Sequence, residues 1–577
     1  MAISVEADVE ALRDAVRQAL TTLNVVGAAV AVVQDDKVLL CDGFGLRDAA
    51  STVPVDEETL FAIGSSTKAF TTMSVAILAD RGKIDWDAPV RRYMPDFALQ
   101  DPVTSAEVTA RDMGSHRVGL PRHDTSWYKS AVDRAELVRR VRYLEANRPL
   151  RTTFQYQNLM FTTLGYLVER VSGKTWEAFT AERILAPLGM RRTNFSVHAS
   201  KEDPNHAKPY DLKDGENVEV PFADIDAIGP AGSINSCAQD MAQWLRLHLG
   251  DGEVDGARVI SGTSLEAMHL PQIVLPDTGK DERRRAPAYG LGWFTEVYQG
   301  VNVVHHGGNI DGFTAMVMLV PERRLGVAVL CNQSISVLPA AVAYTVVDRL
   351  SGLPQRDWPA YLDAERQKML GVAKQGGDYS AERVSGTTPS HALNAYAGEY
   401  EHPAYGTLGV TRTPEGLQAR YHALTGAIPL EHYHYDVFVA RAELETLPMT
   451  WRIHFHTALD GTIDGLEIQL EPLAAPIVFR KKAASVDLSS ESLQRYVGRY
   501  LIAGIQKVRV ELTGDGLAAV IESQPARQLL AQGQHRFALK DLPGFAVQFD
   551  VDAAGACVGG KVIQPNGIFP LTVDVEG

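Results

Sequence analysis

The chain has 577 residues and carries 71 Asp and Glu against 56 Lys and Arg, a formal net charge of −15. A single core stops growing near ~250–300 residues, so this length calls for more than one domain, while an acidic surface without a Lys/Arg cluster argues against nucleic acid as a partner. With 45% hydrophobic and 22% charged residues the chain is not disordered, collagen-like or a coiled coil, and its four scattered cysteines, Cys41, Cys237, Cys331 and Cys557, form no CxxC and suit neither a zinc ribbon nor a disulfide scaffold.

Residues 1–22 place Val9, Leu12, Val16 and Leu20 on one stripe, an amphipathic helix. Acidic residues interrupt its apolar positions, so it lacks the ~7–15-residue apolar core of a signal peptide. No run of about 18 apolar residues follows, and no membrane span is expected; Phe313 to Leu330 is broken by Pro321-Glu322-Arg323-Arg324 and reads as a hairpin. These features fit a cytoplasmic location. Residues 26–47 read as two strands around the turn Asp35-Asp36-Lys37, and 65–81 as a helix. Residues 109–187 have mostly helical period, with Thr109-x-x-Asp112 as a helix-start signal. Strands return at 301–305 and 313–332, and a helix closes the region at 336–351. Strands at both ends with helices between predict one mixed domain over residues 1–355, its terminal strands pairing in a single sheet.

Residues 356–390 then read as a charged helix (357–372) and a Gly/Ser/Thr-rich linker (375–390). Short alternating strands fill the remainder. They contain a repeat: Leu393-Asn394-Ala395-Tyr396-Ala397-Gly398-Glu399-Tyr400 matches Leu493-Gln494-Arg495-Tyr496-Val497-Gly498-Arg499-Tyr500, Gly416-Leu417 matches Gly516-Leu517, and Phe455…Gly461…Gly465 matches Phe549…Gly555…Gly559. Two copies of one β module, over 391–483 and 488–577, account for this.

Three segments carry chemistry. Ser65-Ser66-Thr67-Lys68 follows Gly64 and opens an amphipathic helix. A serine in a first helical turn sits where backbone N–H groups favour negative charge, and Lys68 shares its face. A second S-x-x-K, Ser126 to Lys129, has no such helix start. Tyr156-Gln157-Asn158 begins another helix; beside a lysine, Tyr156 is placed to exchange protons and Asn158 to bond Lys68 or a substrate carbonyl. Ser233-Ile234-Asn235, a possible S-x-N element, reads as a loop before a helix at 238–249 and ranks below Tyr156. The third segment, His305-His306-Gly307-Gly308, ends an apolar strand; the glycines admit a substrate backbone, and a backbone N–H there suits an oxyanion. Adjacent histidines point to opposite strand faces, so one at most faces the site and the pair makes a poor metal centre.

These motifs in this order resemble the serine β-lactamase and penicillin-recognising hydrolase superfamily, over roughly residues 8–352. The class C-like branch, with its D-aminopeptidases, DD-peptidases and esterases, resembles the chain most. Supporting strings are Arg111-Asp112-Met113-Gly114-Ser115-His116-Arg117-Val118-Gly119-Leu120-Pro121, Leu164-Gly165-Tyr166-Leu167-Val168-Glu169 and Gly229-Pro230-Ala231-Gly232-Ser233. The resemblance implies an α+β fold: a β-lactamase-like mixed antiparallel sheet with helices on both sides, followed by two small antiparallel, lipocalin-like β-barrels. It implies Ser65 as acylated nucleophile, Lys68 as its activating partner, Tyr156 as general acid/base, Asn158 as a positioning group, and the N–H groups of Ser65 and Gly308 as the oxyanion hole. The family's Lys-Thr-Gly is replaced by His305-His306-Gly307, which puts His305 and Gly307 at the site and removes a permanent cation for a substrate carboxylate. No cofactor or metal is implied. The expected activity is hydrolysis of small amides or D-configured peptides, with carboxylesterase, β-lactamase/DD-peptidase, transacylase and non-catalytic binding readings as alternatives. The expected partner is a small-molecule or short-peptide substrate, with a homo-oligomer possible. In D-aminopeptidases of this superfamily a barrel loop reaches the active site, so the tail is expected either to shape the pocket or to be a passive appendage. His432, His434, His454 and His456 alternate on strands and read as packed or solvated side chains rather than a metal cluster.

Overall fold

The computed structural model describes residues 5–574 except 277–280, 376–381, 425, 445–446, 483–485, 515, 523, 534, 541 and 543. Its first part is an eight-stranded antiparallel sheet with helices on both faces. In chain order the elements that frame the site are α1 (Val5–Thr22), β1 (Gly27–Gln34), β2 (Lys37–Gly45), α2 (Thr67–Asp80), α3 (Asn158–Ser172), α4 (Ala238–Leu249), β3 (Ile273–Val274), β4 (Arg284–Tyr289), β5 (Phe294–Tyr298), β6 (Val301–Ile310), β7 (Phe313–Val320), β8 (Leu325–Cys331) and α5 (Leu338–Leu350). The sheet order is β2-β1-β8-β7-β6-β5-β4-β3. The chain ends therefore meet as anticipated, with Ala28 opposite Cys331 and Gln34 opposite Leu325. Asp35 and Asp36 turn β1 into β2 in the left-handed conformation, φ +48° and +66°, as a tight hairpin requires.

Two cores flank the sheet. Alternating side chains of β1 divide between them: Val30 and Val32 face α1 and α5, while Ala29 and Ala31 face α2, α3 and α4. The amphipathic stripe of α1 buries Leu12 and Val16 on the first side. On the second, α2 is buried along nearly its whole length, and the Phe70 ring stacks on Trp244 of α4 with centroids 3.7 Å apart.

Residues 109–187 are less helical than their periodicity suggests. Thr109 and Asp112 form the expected reciprocal cap on Ala110–Gly114. Thereafter residues 117–133 contain no α-helix, only the short turn Asp124–Ser126 and the turn at 127–129 that follows it. Gly119 adopts φ +87° with Arg148 O packed against its Cα, and Pro121 follows at once, so a helix cannot run through. The structure also extends β6 through the glycines to Ile310, five residues beyond the anticipated strand, and pairs Asn235-Ser236 with Phe61-Ala62 where a loop was expected.

A helix spans Trp358–Gln375. Residues 376–381 of the expected linker lie outside the described residues; the rest of it is strapped to the following module, Arg383 donating to Tyr433 O (2.9 Å) and the Ser390 N–H to Asp436 (2.9 Å). Two closed eight-stranded antiparallel barrels follow, with strands from Gly398 to Lys481 and from Gly498 to Val573. The repeat reappears as matched contacts. Tyr400 O–H donates to Tyr396 O (2.7 Å), and Tyr500 O–H to Tyr496 O (2.9 Å); Phe455 and Phe549 pack on the corresponding tyrosine pairs. Tyr400→Phe removes a buried donor and should lower stability by about 1 kcal/mol, read as a shift of the urea unfolding midpoint. Among the described residues, no helix is long and apolar enough to cross a membrane.

Candidate active site

Ser65 lies in a tight turn, Gly64–Ser66, between the buried strand Phe61-Ala62 and α2. Gly64 takes φ +49°, and a Cβ on it would stand 2.7 Å from Asn309 N. Gly308 meets the same turn from the other side: a Cβ there would overlap Ile63 O and come within 3.0 Å of Ser65 N. Only two glycines allow the turn and the β6 edge to approach so closely. The His306 carbonyl accepts from Ser66 Oγ at 3.2 Å. Backbone polar groups two residues apart on a strand point to the same side, so the Gly308 amide also faces the turn. Pairing of β5 with β6 stops at Phe294–His305 and leaves that edge open.

Lys68, one helical turn on, is fully buried. Its Nζ lies 2.9 Å from Ser65 Oγ, 2.8 Å from Asn158 Oδ1 and 2.8 Å from Ala231 O. Burial holds its pKa well below the ordinary value, and the Arg122 guanidinium lowers it further. Once deprotonated, the amine has two hydrogens and one lone pair; two of its neighbours are carbonyl oxygens that only accept, so the lone pair is left for the Ser65 hydroxyl. Tyr156 places its ring 4.7 Å from Nζ. Burial raises its pKa, opposed by a hydrogen bond with Ser65, and keeps it a neutral phenol.

Of the two adjacent histidines, the structure brings His306, not His305, to this group. Strand alternation decides it: Val304 and His306 face the helical core, whereas Val303 faces α5 and the His305 ring stacks on Phe294. His306 lies 6.3 Å from the Tyr156 ring centroid. Its Nδ1–H donates to Gly307 O (2.6 Å), so its Nε2 accepts from Tyr289 O–H (3.0 Å). Burial pushes it down to about 3, so it is an uncharged imidazole. Gly307 contributes this carbonyl and does not meet the turn.

Sequence reading missed four groups here. His116 packs its ring 4.3 Å from Tyr156 and accepts the Gln157 N–H at Nδ1 (3.0 Å). Ala231 contributes only a carbonyl, which no side-chain motif records. Asp124 accepts from Asn158 Nδ2 (3.1 Å) and Arg122 Nε (2.6 Å), and Arg122 lies 5.1 Å over the Tyr156 ring. These last two directly follow the family-like string that ends at Pro121. Ser126 and Lys129, the other S-x-x-K, end two successive turns after it, outside this constellation.

Among the described residues, two other clusters have ligand atoms within 4.8 Å of one another, His454/His456/Glu467 and His198/Asp224/Asp226. Both are partly exposed and ion-paired. His432 and His434 are engaged elsewhere, with Tyr435 O and Val384 N. β6 leads from Gly308 to Asp311, which lines a cleft of about 700 Å³ together with Asp133, Asp211, Asp224, Asp226 and Lys129.

The beta-lactamase family profile matches residues 12–350, and a domain of unknown function, DUF3471, matches 382–481. The chain is 33% identical to the unguisins hydrolase of Aspergillus campestris over 69% of this chain and 76% of that protein. It is 30% identical to that of Aspergillus violaceofuscus over 74% and 81%. Among solved structures, the octameric penicillin-binding protein homologue from Pyrococcus abyssi superposes with a TM-score of 0.54 at 23% identity, covering 82% of this chain and all of that one.

Proposed function

The chain belongs to the beta-lactamase family and is a serine hydrolase, and from that premise we propose that it cleaves small amides or short peptides bearing a free amine through an acyl-enzyme on Ser65. The observation that carries this is the coordination of Lys68, whose Nζ meets the Ser65 hydroxyl and two oxygens that can only accept, so that the deprotonated amine turns its lone pair to Ser65. In the proposed reaction Ser65 Oγ bonds to the substrate carbonyl carbon and its proton passes to Lys68. The Ser65 and Gly308 amides hold the oxyanion. Tyr156 gives its phenolic proton to the departing amine as the C–N bond breaks, and Lys68 restores it. Water then attacks the ester, giving one proton back through the same pair, and Ser65 leaves with its hydrogen. A phenol kept neutral by burial suits an amine leaving group, which must be protonated to depart. The two unguisins hydrolases support hydrolysis as the outcome rather than acyl transfer.

The cleft that starts at Asp311, three residues past Gly308, is lined by five aspartates and one lysine; a substrate that extends from Ser65 along β6 into it would carry a cationic group there. Conversely, an uncharged His306 offers no cation to hold a carboxylate, which argues against β-lactams and C-terminal carboxylates as preferred substrates. A fluorophosphonate should add its mass to Ser65 alone; an adduct on Ser126, or none, refutes the assignment. In a substrate panel, D-aminoacyl anilides with a free amine should be cleaved faster than their N-acetyl counterparts and than a chromogenic cephalosporin. Preferential cephalosporin turnover would overturn the substrate class, and equal turnover of the acetylated anilides would remove the ammonium from it.

A further inference from the structure

We propose that Asp124 is the positioning residue that aims Lys68 at Ser65, and that the first barrel holds Asp124 in place. This rests on the reading of Ser65 and Lys68 given above. The lone pair of Lys68 faces Ser65 only if Asn158 presents its oxygen to the amine. The two ends of an amide have nearly the same shape, so packing alone does not choose between them. Asp124 chooses. Its carboxylate can only accept, and it takes the Asn158 Nδ2–H at 3.1 Å, which turns Oδ1 toward Lys68. Without that acceptor, Asn158 is free to rotate and offer an N–H to the Lys68 lone pair, withdrawing it from the serine.

Asp124 opens a single short turn, Asp124–Ser126, next to His123 in the left-handed conformation at φ +51°, and the first barrel supplies much of what fixes it. Three of that barrel's strand connections reach this segment. Glu471 accepts the His123 N–H (2.8 Å), and Tyr405 O–H donates to His123 Nδ1 (2.6 Å), whose Nε2–H is given to Glu145 O. Tyr421 O–H donates to Thr125 O (2.7 Å), and His422 Nδ1 to Tyr128 O (3.0 Å). Tyr405, Tyr421 and Glu471 are all buried. Within the loop, Trp127 Nε1 (2.9 Å) and Arg122 Nε (2.6 Å) complete the carboxylate's partners.

The groups facing Lys68 are Arg122 and Asp124 from this loop, His116 after the Thr109-capped helix, Tyr156 before α3 and His306 from β6; the Gly229–Gly232 segment offers only a carbonyl. Burial keeps both histidines and the phenol uncharged. Among the described residues, Asp124 is therefore the one anion acting on Lys68, and it raises the lysine's pKa, opposite to Arg122.

The test uses the full chain and a fluorophosphonate, following Ser65 acylation rate against pH, with thermal melts to establish folding. Asp124→Ala should acylate about 100-fold more slowly. Asp124→Asn keeps an acceptor but loses the charge, so it should stay within about tenfold of wild type while its acid limb moves to lower pH, because Lys68 then loses its proton more easily. Tyr421→Phe, which frees Thr125 O, should slow acylation about tenfold. Wild-type rates in Asp124→Ala, or an unmoved limb in Asp124→Asn, overturn the role of Asp124; the second decides the matter if the alanine variant does not fold. An unaffected Tyr421→Phe overturns the role of the barrel. Failure of the wild type to take phosphonate on Ser65 refutes the underlying reading instead.

Discussion

Lys68→Met should lower kcat/KM by about 10³–10⁴-fold with the fold intact. Methionine fills much of the buried lysine's volume but brings no base to the Ser65 hydroxyl. The Asn158 Oδ1 and Ala231 O acceptors lose their donor, at about 1–3 kcal/mol each; removal of a buried amine offsets part of that. The pH dependence separates chemistry from packing. In the wild type, rate should climb with pH as Lys68 loses its proton, with a limb well below the ordinary lysine range because the amine is buried. Stability should climb in the same direction. The folded lysine gives up its proton at lower pH than the unfolded one, so between those two values the unfolded chain binds more protons, and rising pH favours the fold. The methionine variant should lose both dependences, as steady-state kinetics and urea unfolding across pH would show.

Gly308→Ala should cost about 10²–10³-fold in acylation rate and about 1–3 kcal/mol in stability. The added methyl overlaps Ile63 O and crowds Ser65 N, so β6 must withdraw from the nucleophile's turn, taking the Gly308 amide with it. Gly307→Ala is the control, since a Cβ there meets Ala315 O and Met316 Cε at an ordinary 3.5 Å and should leave the rate near wild type. Stopped-flow acylation and urea midpoints of the two variants test the pair. Equal rates would mean that the closeness of Gly308 to Ser65 is unrelated to catalysis.

What could be read from sequence was what short stretches encode. The Asp35-Asp36 turn, the Thr109–Asp112 cap and the Tyr396/Tyr400 and Tyr496/Tyr500 repeat each lie within a few residues, and each appears in the structure. Ser65 and Lys68 were legible because one helical turn brings them together. Which of His305 and His306 meets the helical core depends on the pairing of β6 with β5 and β7, not on anything adjacent in the chain. The segment after His116 has apolar residues at helical spacing, yet Gly119 and Pro121 break it and the first barrel binds it. The contributions of Asp124 and of the Ala231 carbonyl arise where separate segments converge, and no local pattern marks them.

The two barrels repeat one module, but they are joined to the enzyme differently. The side chains lining the first, among them Tyr400, Tyr421 and Phe479, belong to the same continuous apolar core as α2 and α3, whereas the second encloses its own, built on Tyr496, Tyr500 and Phe549. The first barrel thus shares its core with the catalytic domain, and substitutions in its strand connections are expected to reach the nucleophile; the second, with a core of its own, is expected to tolerate substitution without disturbing catalysis.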